Sequence, residues 1–374
     1  LLEFNTFFRG NAVKRKLFAV CFLGLSLFTQ SHAAAPNSVV ATINAGVNPE
    51  GMAITPDGRK AYLANVNSYE ITNEHAVSVL DLQTNTVETV ITDPSFNEAY
   101  TVTLNKKGTK AYVTNSNGST VSIIDTKTNQ VSGVINGFDG PSGMVIDHHR
   151  HIGYVNNYGA TPGSGSGNGH TISMIDLKTD TIRGTIKVDQ GPVALALNPN
   201  GKFLYSINYV DGKPGTGTMN IIDTKKSKVV YTVKGLFGPF NIAVTPNGKY
   251  AYITNFGSND FDPIGTTVTV VNLKNGKIHA TIDVALQPAG ISITPDGRFA
   301  YVSNYNTLYR KKNFTELTAG GGTINIIDIS KNEVVPPTIP VGASPARVTI
   351  SPNGKFAYTS NFTGNTINVI ALPN

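Results

Sequence analysis

The chain has almost no cysteine: one residue in 374, Cys21. A disulfide framework is excluded, and so is a metal site built on several thiolates. Histidine is scarce too, with seven copies, and no Ser-His-Asp set, paired acid set or nucleophile signature stands out. Charged residues make up only 14% of the chain. After the first 35 residues no apolar run reaches the roughly 20 residues of a membrane helix. No segment there follows a convincing helical period, so β structure is what remains.

The first 33 residues read as a secretory signal peptide. Lys14, Arg15 and Lys16 precede an apolar stretch from Leu17 to Phe28, and Ser31-His32-Ala33 offers small residues at a cleavage site. Twelve apolar residues are too few for a membrane anchor. Processing as a lipoprotein at Cys21 is disfavoured, because that residue lies inside the apolar run behind bulky Val20. The sequence begins with Leu1, and Val13, just ahead of the basic cluster, is a candidate start. Cleavage after Ala33 removes the single cysteine and leaves a chain suited to an oxidising compartment. It also leaves 26 basic and 23 acidic residues, a net charge of +3. That near-neutral balance gives no electrostatic case for nucleic acid. The expected destination is the periplasm, with the cell surface and secretion as alternatives.

Residues 34–374 carry seven copies of one short motif. They are Tyr62-Leu-Ala-Asn65, Tyr112-Val-Thr-Asn115, Tyr154-Val-Asn-Asn157, Tyr205-Ser-Ile-Asn208, Tyr252-Ile-Thr-Asn255, Tyr301-Val-Ser-Asn304 and Tyr358-Thr-Ser-Asn361. Spacing of this kind, with β-type patterning, marks propeller blades. Each repeat reads as four strands. In the first, Gly51–Thr55 leads through the tight turn Pro56-Asp57-Gly58 to Lys60–Asn65. A loop follows, then Ala76–Asp81, a second turn, and Val87–Ile91. The Asp that ends the third strand is expected to bond back to the backbone of the next turn.

The last repeat stops before any fourth strand. Ser38–Ile43 matches the fourth strands Thr86–Ile91 and Thr181–Ile186. The expected fold is therefore an all-β, seven-bladed propeller of four-stranded antiparallel blades, with residues 38–43 completing the last one. That closure removes an open sheet edge.

The repeated Tyr-Val-Thr-Asn core, the Pro-Asp-Gly turn and the Ile-Ile-Asp strand resemble the YVTN-family β-propeller repeat proteins. The resemblance covers essentially all of residues 34–374. It implies an exported or surface protein of a bacterium or archaeon, in a family mostly without an assigned activity. Similar propellers include lactonases, the haem d1 domain of nitrite reductases and quinoprotein dehydrogenase subunits. None of their catalytic or cofactor residues can be placed on this sequence, so no cofactor is expected.

A feature common to all blades serves the blade itself, so function is sought where the repeat is broken. The loop from the motif Asn to the end of the third strand spans 10 residues in the second and seventh repeats and 24 in the sixth. The variable loops share one face, here called the top, as on a rigid binding scaffold. Neutral drift in tolerated loops is the plainer account. The third repeat carries the flexible run Gly159–Gly169, a possible lid. The sixth carries Tyr309 and Arg310 in a cationic, aromatic tip suited to an anionic or carbohydrate partner. The fifth carries Asp260 and Asp262, a fragment of a calcium loop without its later Gly and Glu.

Five repeats place an aromatic residue just after the motif Asn: Tyr158, Tyr209, Phe256, Tyr305 and Phe362. These stack a flat ligand or pack between blades. At the mouth of the central channel the aligned first-strand residues are Glu50, Tyr100, Ser142, Val193, Phe240, Ala289 and Ala346. One step deeper come Gly51, Thr101, Gly143, Ala194, Asn241, Gly290 and Arg347. Glu50 and Arg347 interrupt these rings in adjoining blades. They are either a structural ion pair at the closure or, if unpaired, ligand contacts or an acid–base group. His148, His149 and His151 replace a regular turn on the bottom face, a weak metal candidate lacking further ligands. His75 and His170 are lone residues in or beside top loops.

Three functions fit this pattern. The first is an exported, monomeric scaffold that binds a protein, a glycan or a small anionic ligand on its top face. The second is a lactonase- or lyase-like enzyme using Glu50, Asn241 and Arg347. The third is a structural protein of the surface or envelope. Fold alone does not choose among them.

Overall fold

The computed structural model describes residues 35–66, 75–159, 167–210, 213–258, 264–309, 317–319 and 321–373. By internal contacts the chain separates into Leu1–Ala33 and Ala34–Asn374, and the fold below is that of the second unit. Seven four-stranded antiparallel sheets follow one another in chain order. In blade one the strands are Pro49–Ile54, Lys60–Asn65, Ala76–Asp81 and Thr86–Thr92. Among the described residues no helix is long and apolar enough to cross a membrane.

Burial follows strand position. The second and third strands are buried on both faces, because each blade is covered by its neighbours. The fourth strand alternates between covered and exposed residues, as expected at the outer rim. The motif tyrosines fill the space between blades, and six of the seven are among the largest fully buried side chains. Burying a ring of this size is worth about 2 kcal/mol or more each.

Two motif residues hold the sheets in register. The motif Asn donates from Nδ2 to the third strand of its own blade: Asn115 to Ser122 Oγ (2.8 Å), Asn255 to Thr269 Oγ1 (2.9 Å) and Asn361 to Asn368 Oδ1 (2.8 Å). The motif Tyr reaches the next blade. Tyr62 donates to Asn129 (2.7 Å), Tyr112 to Asp180 (2.9 Å) and Tyr252 to Asn332 (2.6 Å). Each acceptor sits in the turn before the fourth strand, with φ between 52° and 56°. Asn and Asp tolerate that left-handed backbone.

The Asp at the end of the third strand bonds as expected. Asp81 Oδ1 accepts the N–H groups of Gln83 (2.8 Å) and Thr84 (3.1 Å), and Asp125 repeats the pattern with Lys127 and Thr128. The N-terminal strand, Ser38–Asn44, pairs antiparallel with Thr366–Ala371 and completes blade seven. Both ends of the described propeller thus lie in one sheet. Blade six carries an extra hairpin, Thr307–Tyr309 against Leu317–Ala319, within its long top loop.

Candidate functional site

Every first strand begins at the top and runs down the channel, so residues at equivalent positions form rings. The rings are crowded. A Cβ added at Gly51 would fall 2.8 Å from the Thr101 Cα of blade two, and one at Gly290 would fall 2.6 Å from the Arg347 Cα of blade seven. Glycine there is a packing requirement of neighbouring strands. It also leaves room for the larger side chains of the other blades.

Arg347 uses that room. Its Nε donates to Glu50 Oε1 at 3.0 Å across the junction of blades seven and one. Its guanidinium carbon lies 5.7 Å from the Tyr100 ring centre in blade two and 5.1 Å from that of Phe240 in blade five. One side chain therefore touches three other blades and spans the channel mouth. Guanidinium faces pair favourably with aromatic rings. The Glu50 side chain is 4% exposed and that of Arg347 is 13% exposed. The Ser360 hydroxyl adds a bond to the Glu50 carbonyl (2.8 Å) at the same seam.

The electrostatics follow from burial. Desolvation pushes the Glu50 carboxyl above its ordinary value, while the Arg347 charge and hydrogen bonds from Arg347 and Tyr100 oppose the shift. Burial and the nearby Glu50 charge push the Tyr100 phenol upward, so it stays protonated. The Arg347 guanidinium is raised despite burial, chiefly by the Glu50 charge. Glu50 and Arg347 thus form the ion pair that the sequence offered as one of two alternatives.

Below the mouth is a cavity of about 170 Å³, whose wall includes Arg347, Asn241, Thr101 and Ser142. The structure brings Asn241 and Arg347 together there. Around the rim, Phe240 and Phe256 lie with ring centres 5.2 Å apart, Phe256 and Tyr305 5.9 Å, and Tyr305 and Phe362 6.5 Å. These four rings come from three successive blades and are partly exposed. Phe240 was legible only as a ring position in sequence. Its part in a continuous strip follows from the fold.

Of the other two aromatic candidates, Tyr209 is buried and Tyr158 is half-buried. The Tyr209 hydroxyl is buried and donates to the Gly257 carbonyl at 3.2 Å. Tyr158 lies against Gly167, where an added Cβ would meet its ring at 2.6 Å. The sequence-derived arc therefore divides into a rim strip, the half-buried Tyr158 beside Gly167 and the buried Tyr209.

The remaining candidates stand apart from the mouth. His148, His149 and His151 are exposed in a bottom turn held by Asp147 Oδ1, which accepts the N–H groups of His149 and Arg150. Among the described residues no three His, Cys, Asp or Glu side chains form a metal-binding group. His75 Nδ1 lies 3.2 Å from the Val66 carbonyl and 3.4 Å from the Glu98 N–H. His170 is exposed. Arg310, Asp260, Asp262 and most of the glycine-rich run lie outside the described residues, and Tyr309 is described only by its backbone strand.

Comparison with known proteins places these features in context. Residues 220–313 match the family described as "Lactonase, 7-bladed beta-propeller". That stretch contains Phe240, Asn241, Phe256 and Tyr305 but neither Glu50 nor Arg347. A 58-residue stretch is 47% identical to the PE-PGRS family protein PE_PGRS18 of Mycobacterium tuberculosis (strain ATCC 25618 / H37Rv). The match covers 16% of this chain and 12% of that protein, so the chain spans only a small part of the curated relative's length. Among solved structures, a chain of Kuenenia stuttgartiensis hydrazine synthase superposes with a TM-score of 0.72 at 21% identity, covering 91% of this chain and 98% of that one. A chain of the mitotic checkpoint complex gives 0.70 at 14% identity, covering 97% and 100%. At these identities the two structures attest the fold alone. The chain is a seven-bladed propeller, and the stretch similar to the lactonase family lies in its fourth to sixth blades.

Proposed function

We propose that this protein is an exported propeller of the YVTN kind that binds a small, flat ligand on its top face. The carrying observation is the partly exposed strip Phe240–Phe256–Tyr305–Phe362, which leads to the guanidinium of Arg347 at the channel mouth. Sugars and aromatic rings stack on such surfaces, and a nearby cation favours a ligand with an acidic group. Tyr309 and Arg310 belong to the longest top loop and extend the same chemistry toward a glycan or protein partner. We place the working protein in the periplasm after cleavage at Ala33, as a monomer without a cofactor.

A lactonase-like enzyme is the second reading, favoured by the family match over residues 220–313. Against it stands the engagement of Glu50. A carboxylate held by Arg347 at 3.0 Å is a poor general base.

The test is a thermal-shift and calorimetric screen of the exported protein against sugars, sugar acids and aromatic carboxylates. Binding that weakens in Phe256→Leu and Tyr305→Leu, without loss of fold, supports the scaffold reading. No binding in any class would overturn it. Turnover of a lactone that disappears in Glu50→Gln would replace it with the enzyme.

A further inference from the structure

We infer that the cavity beneath Arg347 is a separate binding chamber for a small oxyanion. The argument is one of donors and acceptors. Asn241 Oδ1 accepts the N–H of Ile242 at 2.8 Å, which leaves the side-chain NH₂ as the group offered to the chamber. The Ser142 Oγ accepts from Asn156 Nδ2 at 2.6 Å, which leaves its hydroxyl proton to donate. Arg347 has five N–H donors. Glu50 takes Nε, and Tyr100 makes a further side-chain bond to it. Donors are left over on a group that lines the chamber.

The wall is asymmetric in charge. Arg347 lines the chamber, whereas no Asp or Glu does among the described residues. Its partner Glu50 is not among the residues that line the space and is almost wholly covered. Thr101 and Thr349 give their hydroxyl protons to the carbonyls of Ser142 and Met52. They present only oxygen, so the polar pull comes from the arc of Arg347, Asn241 and Ser142. A guanidinium and neutral donors in a small, partly dehydrated space bind carboxylate, sulfate or phosphate oxygens through charge-assisted bonds. The volume of about 170 Å³ holds such an ion together with a few waters.

This chamber is distinct from the aromatic strip above it, and its test separates the two. Crystals of the exported protein grown with selenate should show one anomalous peak within hydrogen-bond reach of Arg347 and Asn241. Titration with selenate or acetate should give a single site. Asn241→Asp, which keeps the shape of the residue but adds a negative charge, should weaken the site by about tenfold or more. Glu50→Gln, which removes the competing carboxylate, should tighten it. Phe256→Leu should leave it unchanged, even if ligand binding on the top face is lost. Absence of both peak and heat in the millimolar range would overturn the chamber. So would an Asn241→Asp protein that folds and binds selenate as the parent does, or a peak found only on surface lysines.

Discussion

The Tyr301 hydroxyl donates to Asn37 Oδ1 at 2.6 Å, joining residues 264 positions apart in the chain. It is the same contact that Tyr62 makes to Asn129 and Tyr252 makes to Asn332. Asn37 even shares the left-handed backbone of those acceptors, with φ of 58°. The N-terminal segment therefore supplies both the missing strand of blade seven and the side chain that the preceding blade grips.

Removing this segment should cost far more than trimming a tail. Deletion of residues 35–44 exposes the edge of Thr366–Ala371 and strips the covering from Ile367 and Val369, which are buried in the parent. A large fall in melting temperature is expected. Tyr301→Phe and Asn37→Ala should each cost about 1 kcal/mol in urea unfolding, with the double variant costing little more than either. A deletion protein with the parental melting point would remove the closure argument.

The same contact can be added where it is missing. Ser227 and Gly276 occupy the acceptor position in blades four and five, and neither offers a side-chain amide or carboxylate. At Gly276 an added Cβ would meet Tyr231 at 2.4 Å. At Ser227 the backbone already has φ of 49°, which Asn tolerates, and the facing tyrosine is Tyr154. Ser227→Asn should therefore stabilise the protein by about 0.5–1.5 kcal/mol, and Tyr154→Phe should abolish that gain.

The pair at the channel mouth should behave as a buried ion pair whose desolvation outweighs its attraction. Burial raises the Glu50 carboxyl even with Arg347 beside it. Glu50→Leu alone or Arg347→Met alone leaves one buried charge without its partner and should cost about 3–5 kcal/mol. The double variant should recover most of that loss. Urea unfolding of the three variants decides the matter, and additive losses would show that the two residues act independently.

Acid should destabilise the propeller through its turns. The carboxyls of Asp57, Asp81, Asp223 and Asp328 lie below their ordinary value of 3.8, held down by hydrogen bonds from Thr55, Thr84, Lys226 and Ser330 respectively. A group depressed in the folded state binds protons more readily when unfolded. Its stabilisation is present above pH 3.8 and is lost as pH falls through the lower folded value. Glu50 has the opposite sign: its stabilisation is complete below pH 4.5 and disappears as pH rises past its elevated folded value. Melting temperatures of the parent and of Asp81→Asn should converge below pH 3.8, and those of the parent and Glu50→Gln should converge below pH 4.5 and separate as pH rises past the elevated folded value of Glu50. A parallel offset across the whole range would contradict both.

Much of this was legible in the sequence. The blades, the strand order and the closing strand follow from a repeat whose side chains alternate with period two. The acceptor residues were legible in principle as well, since Asn37, Asn85, Asn129, Asp180 and Asn332 all stand just before a fourth strand. What such a residue accepts was hidden, because its donor lies in the preceding blade.

By itself the sequence determined the architecture and the identity of the irregular residues, because both are local properties of each repeat. Only the tertiary structure decided that Glu50 is paired, that Phe240 joins the rim strip while Tyr209 is buried, and that Arg347 crosses the mouth from blade seven to blades two and five. Ring closure sets those relationships. It brings the first and last blades into contact and leaves the span of one long side chain to decide which distant residues meet.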